Sequence, residues 1–177
     1  MPHTQLPRET GSSGFLLRAA TPADLPAVAP LWETAWLDGH RDRVPDELMA
    51  LRDSDHFAHY AARWVSVTTV ATENAGNLIG LVIVGPDDGE VVQLAVERDA
   101  RGRGVGTALL QAAETRLSSA HREAWLAVVP GNTKARRFYE LHGWHDTGRI
   151  VHHAPTRTGT VAVPVHRYVK PLSISYS

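Results

Sequence analysis

The sequence predicts one α/β domain built on a mixed sheet, and three observations carry that prediction. Short apolar runs bounded by Gly, Pro, Asn or Asp alternate with longer stretches whose apolar residues recur at helical spacing. Some links between runs are short enough for hairpins while others contain a helix, so both antiparallel and parallel neighbours are expected. The chain has 177 residues, enough for one sizeable core.

The first strand is expected at "FLLRAA", Phe15 to Ala20. A helix follows in "TPADLPAVAPLWETAW", where Thr21 suits a cap, Pro22 the first turn and Asp24 the positive dipole end. Leu25, Val28, Leu31, Trp32 and Ala35 form its apolar face. "LDGHRDRVPDE" reads as a polar loop, and "DELMALRDSDHFAHYAARW" as further helix interrupted near Asp53 to Asp55. "WVSVTTVATE" and "LIGLVIV" are strands joined by a turn at Gly76, and "PDDG" turns the chain into the strand "EVVQLAV". "TALLQAAETRLSSAH" is a second amphipathic helix with Leu109, Leu110, Ala113 and Leu117 inward. "AWLAVV" is a strand, "NTKARRFYELHG" a helix stopped by Gly143, and two strands near "WHDTGRIVHHA" and "TVAVPVHRYVKPL" close the chain. The predicted order is β-α-α-β-β-β-α-β-α-β-β.

Composition excludes several function classes. The formal net charge is -1, so nothing favours a polyanion, and no nucleic-acid partner is expected. Lys134, Arg136 and Arg137 make one small basic cluster on a helix. Cysteine is absent, which removes disulfides, thiolate metal sites and a cysteine nucleophile. No apolar run is long enough to span a bilayer, so no membrane partner is expected. Residues 1–14 lack a signal-peptide core and read as a flexible tail, as do residues 173–177; the cytoplasm is the default location. There are 10 histidines, but His152 and His153 fall on opposite faces of a strand, and His56 and His59 are accounted for by a surface helix. No metal site is expected.

The stretch "RGRGVG", Arg101 to Gly106, stands between an apolar strand and a helix. Glycines let a backbone approach a ligand closely, and a helix N-terminus offers unpaired amides and a positive dipole to phosphate. A tight turn with solvated arginines is the alternative. No Lys follows Gly106, which excludes a Walker loop; Thr107 stands where a dinucleotide fingerprint needs glycine.

The same stretch matches Arg/Gln-x-x-Gly-x-Gly/Ala at Arg101, Gly104 and Gly106. That pattern resembles the coenzyme A pyrophosphate loop of the GNAT acyltransferase superfamily. "RAATPADLPAVAPL", "EVVQLAVERDARGRGVGTALLQAAE" and "AVVPGNTKARRFYELHGW" resemble the family's other segments, so that the resemblance runs from about Phe15 to Leu172. It implies one domain over residues 15–172 with a mixed, mostly antiparallel sheet of about seven strands flanked by helices. One strand pair should splay to hold acyl-CoA.

The resemblance also implies roles. Leu94, Ala95 and Val96 should contact pantetheine, and the amides of Arg101, Gly102, Arg103, Gly104, Val105, Gly106 and Thr107 the pyrophosphate. The Leu94 amide aligns with the donor that polarises the thioester carbonyl. Tyr139 matches the tyrosine that protonates the departing thiolate; its alternative is packing beside Phe138. Asn132 matches a pantetheine-binding residue and also suits a helix cap. Glu90 is a base candidate, four residues before Leu94 and hence expected on the same face; a solvated strand-end charge is its alternative. His40 and Glu33 are further base candidates. The acceptor pocket should involve Trp32, Glu33, Trp36 and His40, where aromatic and acidic groups would receive a cationic amine, although both indoles could equally pack the helix to the sheet. Acetyl-CoA is the expected cosubstrate and a small-molecule amine the expected acceptor, with direct transfer. A protein amine is the runner-up, which would need an open groove; a non-catalytic acyl-CoA sensor is the other class. Many relatives dimerise, so a homodimer is possible.

Overall fold

The computed structural model describes residues 14–173. Nearly all of both expected tails therefore lies outside the described residues. Seven strands form one sheet in the order β1-β2-β3-β4-β5-β7-β6. They are β1 (Phe15–Ala19), β2 (Thr68–Glu73), β3 (Leu78–Gly85), β4 (Glu90–Val96), β5 (Glu123–Val128), β6 (His145–Thr156) and β7 (Gly159–Pro171). The helices are α1 (Leu25–His40), α2 (Asp46–Leu51), α3 (Ser54–Arg63), α4 (Val105–Ser118) and α5 (Thr133–Leu141). Every strand contact is antiparallel except β4 with β5.

Two apolar layers sandwich this sheet. On one side Val28, Trp32 and Trp36 of α1 and Phe57 of α3 pack on Val70, Leu81, Ile83 and Ala95. On the other, Val105, Leu109, Leu110, Ala113 and Leu117 of α4 pack on Ala71, Val82, Val84 and Leu126. β3 is covered on both faces, which is why its sequence is a nearly unbroken apolar run rather than an alternating one.

Three boundaries differ from the sequence expectation, the first being that α1 continues to His40 through residues expected as polar loop. The chain after Thr21 makes a single 3₁₀ turn at Pro22–Asp24 before α1 begins. There the Asp24 carboxylate accepts the Thr21 amide at 2.8 Å and pairs with Arg18 at 2.7 Å. Trp64 to Val67, expected as strand, instead end α3 and form a 3₁₀ turn, held by the Thr68 hydroxyl donating to the Trp64 carbonyl at 2.8 Å. β-branched residues favour strands only where a neighbouring strand is available to pair.

Two irregularities in β4 shape the site. Gln93 pairs with Ile83 and Val91 with Val84, so Val92 is an extra residue, a β-bulge. Beyond it, β4 touches β5 through a single pair, Glu90 with Trp125, supported by the Trp125 amide donating to the Gly89 carbonyl at 3.1 Å. From that point the two strands splay apart.

Candidate active site

The splay opens two adjoining spaces. The outer is a cleft of about 610 Å³ between β4, the start of α4 and α5. The inner is a cavity of about 220 Å³ bounded by β4, β5, α1, α2, α3 and the β6–β7 hairpin. Leu94, Asn132 and Tyr139 line both, so they stand at the junction.

The outer cleft collects Leu94, Ala95, Val96, Arg101, Gly102, Gly104, Val105, Gly106, Thr107, Asn132 and Tyr139, all expected there from the sequence. Its glycines do different work. Gly102 and Gly104 have φ of +78° and +82°, which L side chains rarely adopt, and nothing lies within 4 Å of where a Cβ would be. Gly104 is the N-cap of α4, so these residues turn the chain to present the helix's first amides to an open cradle. Gly106 is ordinary helix, with a Cβ position 3.6 Å from Phe138 and 3.7 Å from Val96.

Arg103 departs from expectation. Its guanidinium turns to the Glu73 carboxylate at 2.7 Å and does not line the cleft. The flanking cations are Arg101, which lies 3.5 Å from Asp38, Arg43 and Lys134. Thr107 is engaged as well: His142 Nδ1 donates to the Phe138 carbonyl at 2.7 Å, leaving Nε2 to accept from the Thr107 hydroxyl at 2.9 Å. Asn132 caps α5, its Oδ1 accepting from the Ala135 amide at 3.2 Å, which leaves its Nδ2 amide for other partners.

At the junction Tyr139 stands edge-on to Phe138 and Trp144, with centroids 5.3 and 6.0 Å away. Its hydroxyl has no hydrogen-bond partner among the described residues. Burial pushes its ionisation well above the ordinary phenol range, so it stays a neutral proton donor.

Glu90 lies in the inner cavity, but not on the face of Leu94. A Cβ on Gly85 would lie 3.5 Å from Glu90 Cβ and 3.7 Å from Val92 Cγ2, which puts those two together. Leu94 and Val96 pack on the opposite, α4 side. The bulge at Val92 breaks the alternation that sequence spacing assumed. Burial, with the nearby Asp88 charge, raises the Glu90 pKa to about 7.

Trp32, Trp36 and His40 line the inner cavity as expected; Glu33 does not, because its carboxylate accepts the Ser54 hydroxyl at 3.0 Å on the outside of α1. The Trp36 and His40 rings stack at 4.5 Å, and His40 Nδ1 donates to the Trp36 carbonyl at 2.7 Å. Burial, together with the Arg52 and Arg43 charges, lowers the His40 pKa to about 4. Both indoles are at most 4% exposed, so they anchor α1 as well as lining the cavity.

Glu90 is the one acid in this wall: the acids of the α1 segment stay out of it, Asp38 belonging to the outer cleft, paired with Arg98 and Arg101. The wall instead contains Arg52, His56 and His152, which sequence reading placed elsewhere or passed over. Periodicity already separates Glu33 from Trp32, Trp36 and His40, which recur at helical spacing. Nothing local marks Arg52, whose burial depends on distant hairpin residues.

Comparison with known proteins agrees with this architecture. Residues 26–144 match the model of the Acetyltransferase (GNAT) family. A probable N-acetyltransferase of Mycobacterium tuberculosis, Rv2775, is 30% identical over 150 residues, spanning 77% of this chain and 83% of that protein. The mycothiol acetyltransferase of Propionibacterium freudenreichii is 32% identical over 160 residues, 77% of this chain and 51% of its own. Among solved structures, a GCN5-related N-acetyltransferase from Kribbella flavida superposes with a TM-score of 0.66 at 26% identity, covering 92% of this chain and all of the other. A phosphinothricin acetyltransferase from Sinorhizobium meliloti, solved with AcCoA, shares the fold at 19% identity, with a TM-score of 0.67 over 90% of this chain and 89% of its own. A mixed seven-stranded sheet split beside a glycine-rich helix start defines an acyl-transferring enzyme. The chain belongs to the acetyltransferase (GNAT) family and is an N-acetyltransferase.

Proposed function

We propose that this enzyme transfers an acetyl group from acetyl-CoA directly to the primary amine of a small molecule. The observation that carries this is the meeting of two spaces at Leu94 and Tyr139, a larger outer cleft and a smaller inner cavity. A protein acceptor needs a groove that admits a chain; an inner space of about 220 Å³, lined in part by Ala154 and Pro155, suits a small molecule instead.

The outer cleft fits the donor. Amides from Gly102 to Gly106 lie at an open cradle beside a helix N-terminus, the setting that favours a pyrophosphate, whereas the Arg101 amide is taken by the Arg98 carbonyl. The exposed edge of β4 at Leu94–Val96, unpaired with β5 there, offers backbone groups to an extended arm, and Asn132 Nδ2 adds a donor. Bound acetyl-CoA supplies the acetyl group as a thioester. Glu90 takes the proton that the acceptor nitrogen loses as its bond to the carbonyl carbon forms. The Leu94 amide stabilises the charge that builds on the carbonyl oxygen. Tyr139 gives its proton to the sulfur as the carbon–sulfur bond breaks.

Calorimetric titration with acetyl-CoA, on wild type and Gly104→Glu, tests the donor half. Binding lost in a still-folded variant supports it; no wild-type binding in a sample free of copurified CoA refutes it. A screen of small amines against peptides, read as thiol release, then tests the acceptor half.

A further inference from the structure

The inner cavity contains hydrogen-bond donors that its own walls leave unmet. Trp32 Nε1 and Arg52 Nε are both buried without a partner among the described residues, and both belong to residues lining this cavity. Indole and guanidinium N–H groups donate and never accept, so an acceptor must come from outside the chain. His56, only 2% exposed, adds a third unpartnered atom, Nδ1.

Among the described residues Arg52 also lacks an ion-pair partner. Its hydrogen bond goes to the neutral Pro155 carbonyl at 3.1 Å, and its guanidinium lies 5.0 Å from the centre of the Trp36 ring. Burial lowers its pKa to about 10, which leaves it cationic at neutral pH. The adjacent Asp53 and the acids of α1 are committed elsewhere: Asp53 to Arg157 at 2.9 Å, Asp38 to Arg98 and Arg101, and Glu33 to Ser54. Glu90 is the one carboxylate in the lining, and it makes no ion pair with Arg52. The cavity therefore has a cationic, donor-rich part and, apart from it, a basic carboxylate. A half-buried cation without a partner is costly, and an anionic ligand relieves that cost.

We propose that the acceptor is an amino acid, a small molecule carrying both an amine and a carboxylate. Arg52 holds the carboxylate, while the amine is presented to Glu90. Arg52 is thus a specificity-determining residue. This rests on the small-molecule acceptor proposed above.

Matched pairs test it: leucine against isopentylamine, phenylalanine against phenethylamine, and 4-aminobutyrate against propylamine, each with acetyl-CoA and the full chain. At least one acid should exceed its decarboxylated partner in kcat/KM by about 10- to 100-fold, the range of a charge-assisted hydrogen bond. Arg52→Met should erase that preference while acetyl-CoA affinity persists, and Arg52→Lys should restore part of it. In parallel, 4-methylpentanoate and 3-phenylpropionate, which have no amine, should quench tryptophan fluorescence in wild type and not in Arg52→Met.

Equal or faster turnover of the decarboxylated amines overturns the carboxylate site and leaves small-molecule acetylation standing. If neither class turns over but the carboxylates still quench through Arg52, the anion site stands and small-molecule acetylation falls. If neither turnover nor quenching occurs, the carboxylate site is refuted. Should Arg52→Met fail to fold, the wild-type pairs and quenching still decide.

Discussion

Glu90 and Leu94 share strand β4 yet lie on opposite faces of the sheet, because Val92 is an extra residue between them. The bulge gives the strand two uses at once. Glu90 is directed to the inner cavity, while the Leu94 side chain is packed under α4 and its backbone remains at the junction. Glu90 is expected to act only when ionised, so kcat/KM should rise with pH through an apparent pKa of about 7. Glu90→Gln should lower it by about 10²- to 10⁴-fold. Asp88 contributes to raising that pKa, so Asp88→Asn should move the limb to lower pH. A pH–rate profile of the three proteins checks this, and an unmoved limb in Asp88→Asn would contradict it.

Tyr139→Phe should keep acetyl-CoA binding and lose kcat. The ring contacts with Phe138 and Trp144 survive the change, and the hydroxyl has no protein partner to abandon. A loss of about 10²-fold or more is expected if the phenol is the proton donor. Titration calorimetry and steady-state rates on the same preparation separate the effects; unchanged kcat would remove Tyr139 from the chemistry.

The two arginines of the glycine loop should behave differently. Arg101→Ala should weaken acetyl-CoA binding measurably, since Arg101 lines the cleft. Arg103→Ala should change affinity little and stability by at most ~1 kcal/mol, because it loses only a surface ion pair to Glu73. Gly104→Ala should destabilise the fold by about 1–2 kcal/mol through its left-handed backbone, and Gly106→Ala much less. Denaturant melts and acetyl-CoA titrations of the four variants decide; equal effects at Arg101 and Arg103 would be evidence against this division.

Acid should loosen the α1–α3 layer. His40 and His56 have pKa values lowered to about 4, mainly by burial. Between about pH 6.5 and 4 the unfolded chain binds protons at these rings while the folded chain resists, so their contribution to stability falls as pH drops. Glu90 acts the other way: its raised pKa makes the folded chain the better proton binder between about 4.5 and 7, so its contribution falls as pH rises. His56→Phe, which preserves an aromatic ring beside Phe57 and Tyr60, should therefore shrink the fall in Tm between pH 7 and 5. An unchanged difference would show that His56 is already protonated at the lower pH.

The succession of seven strands along the chain was legible because each run carries its own punctuation; their arrangement in the sheet was not read from it. The donor loop was legible too, since Arg101, Gly104 and Gly106 are contiguous and their spacing expresses one local geometry. The bulge was not, because a strand's own residues do not reveal which partner residue is skipped; only Ile83 and Val84 across the ladder do. Arg52 was hidden for a similar reason. It sits in "MALRDSDH", read as helix interrupted near Asp53 with no sign of which side chains turn inward, and its partner Pro155 is remote in sequence. Glu33 and the acidic residues after Trp36 misled through composition: charge in a segment says nothing about which face carries it.

Between β4 and β5 the ladder stops after one pair, so the two halves of the sheet are held together mainly by the layers above and below. A donor seated in that gap supplies contacts the polypeptide cannot make alone, and it does so only in the folded chain. At a free concentration a hundred times its Kd, such a ligand adds about 2.7 kcal/mol to the free energy of unfolding. Degradation that proceeds through the unfolded chain would then slow as the free cosubstrate rises above its Kd.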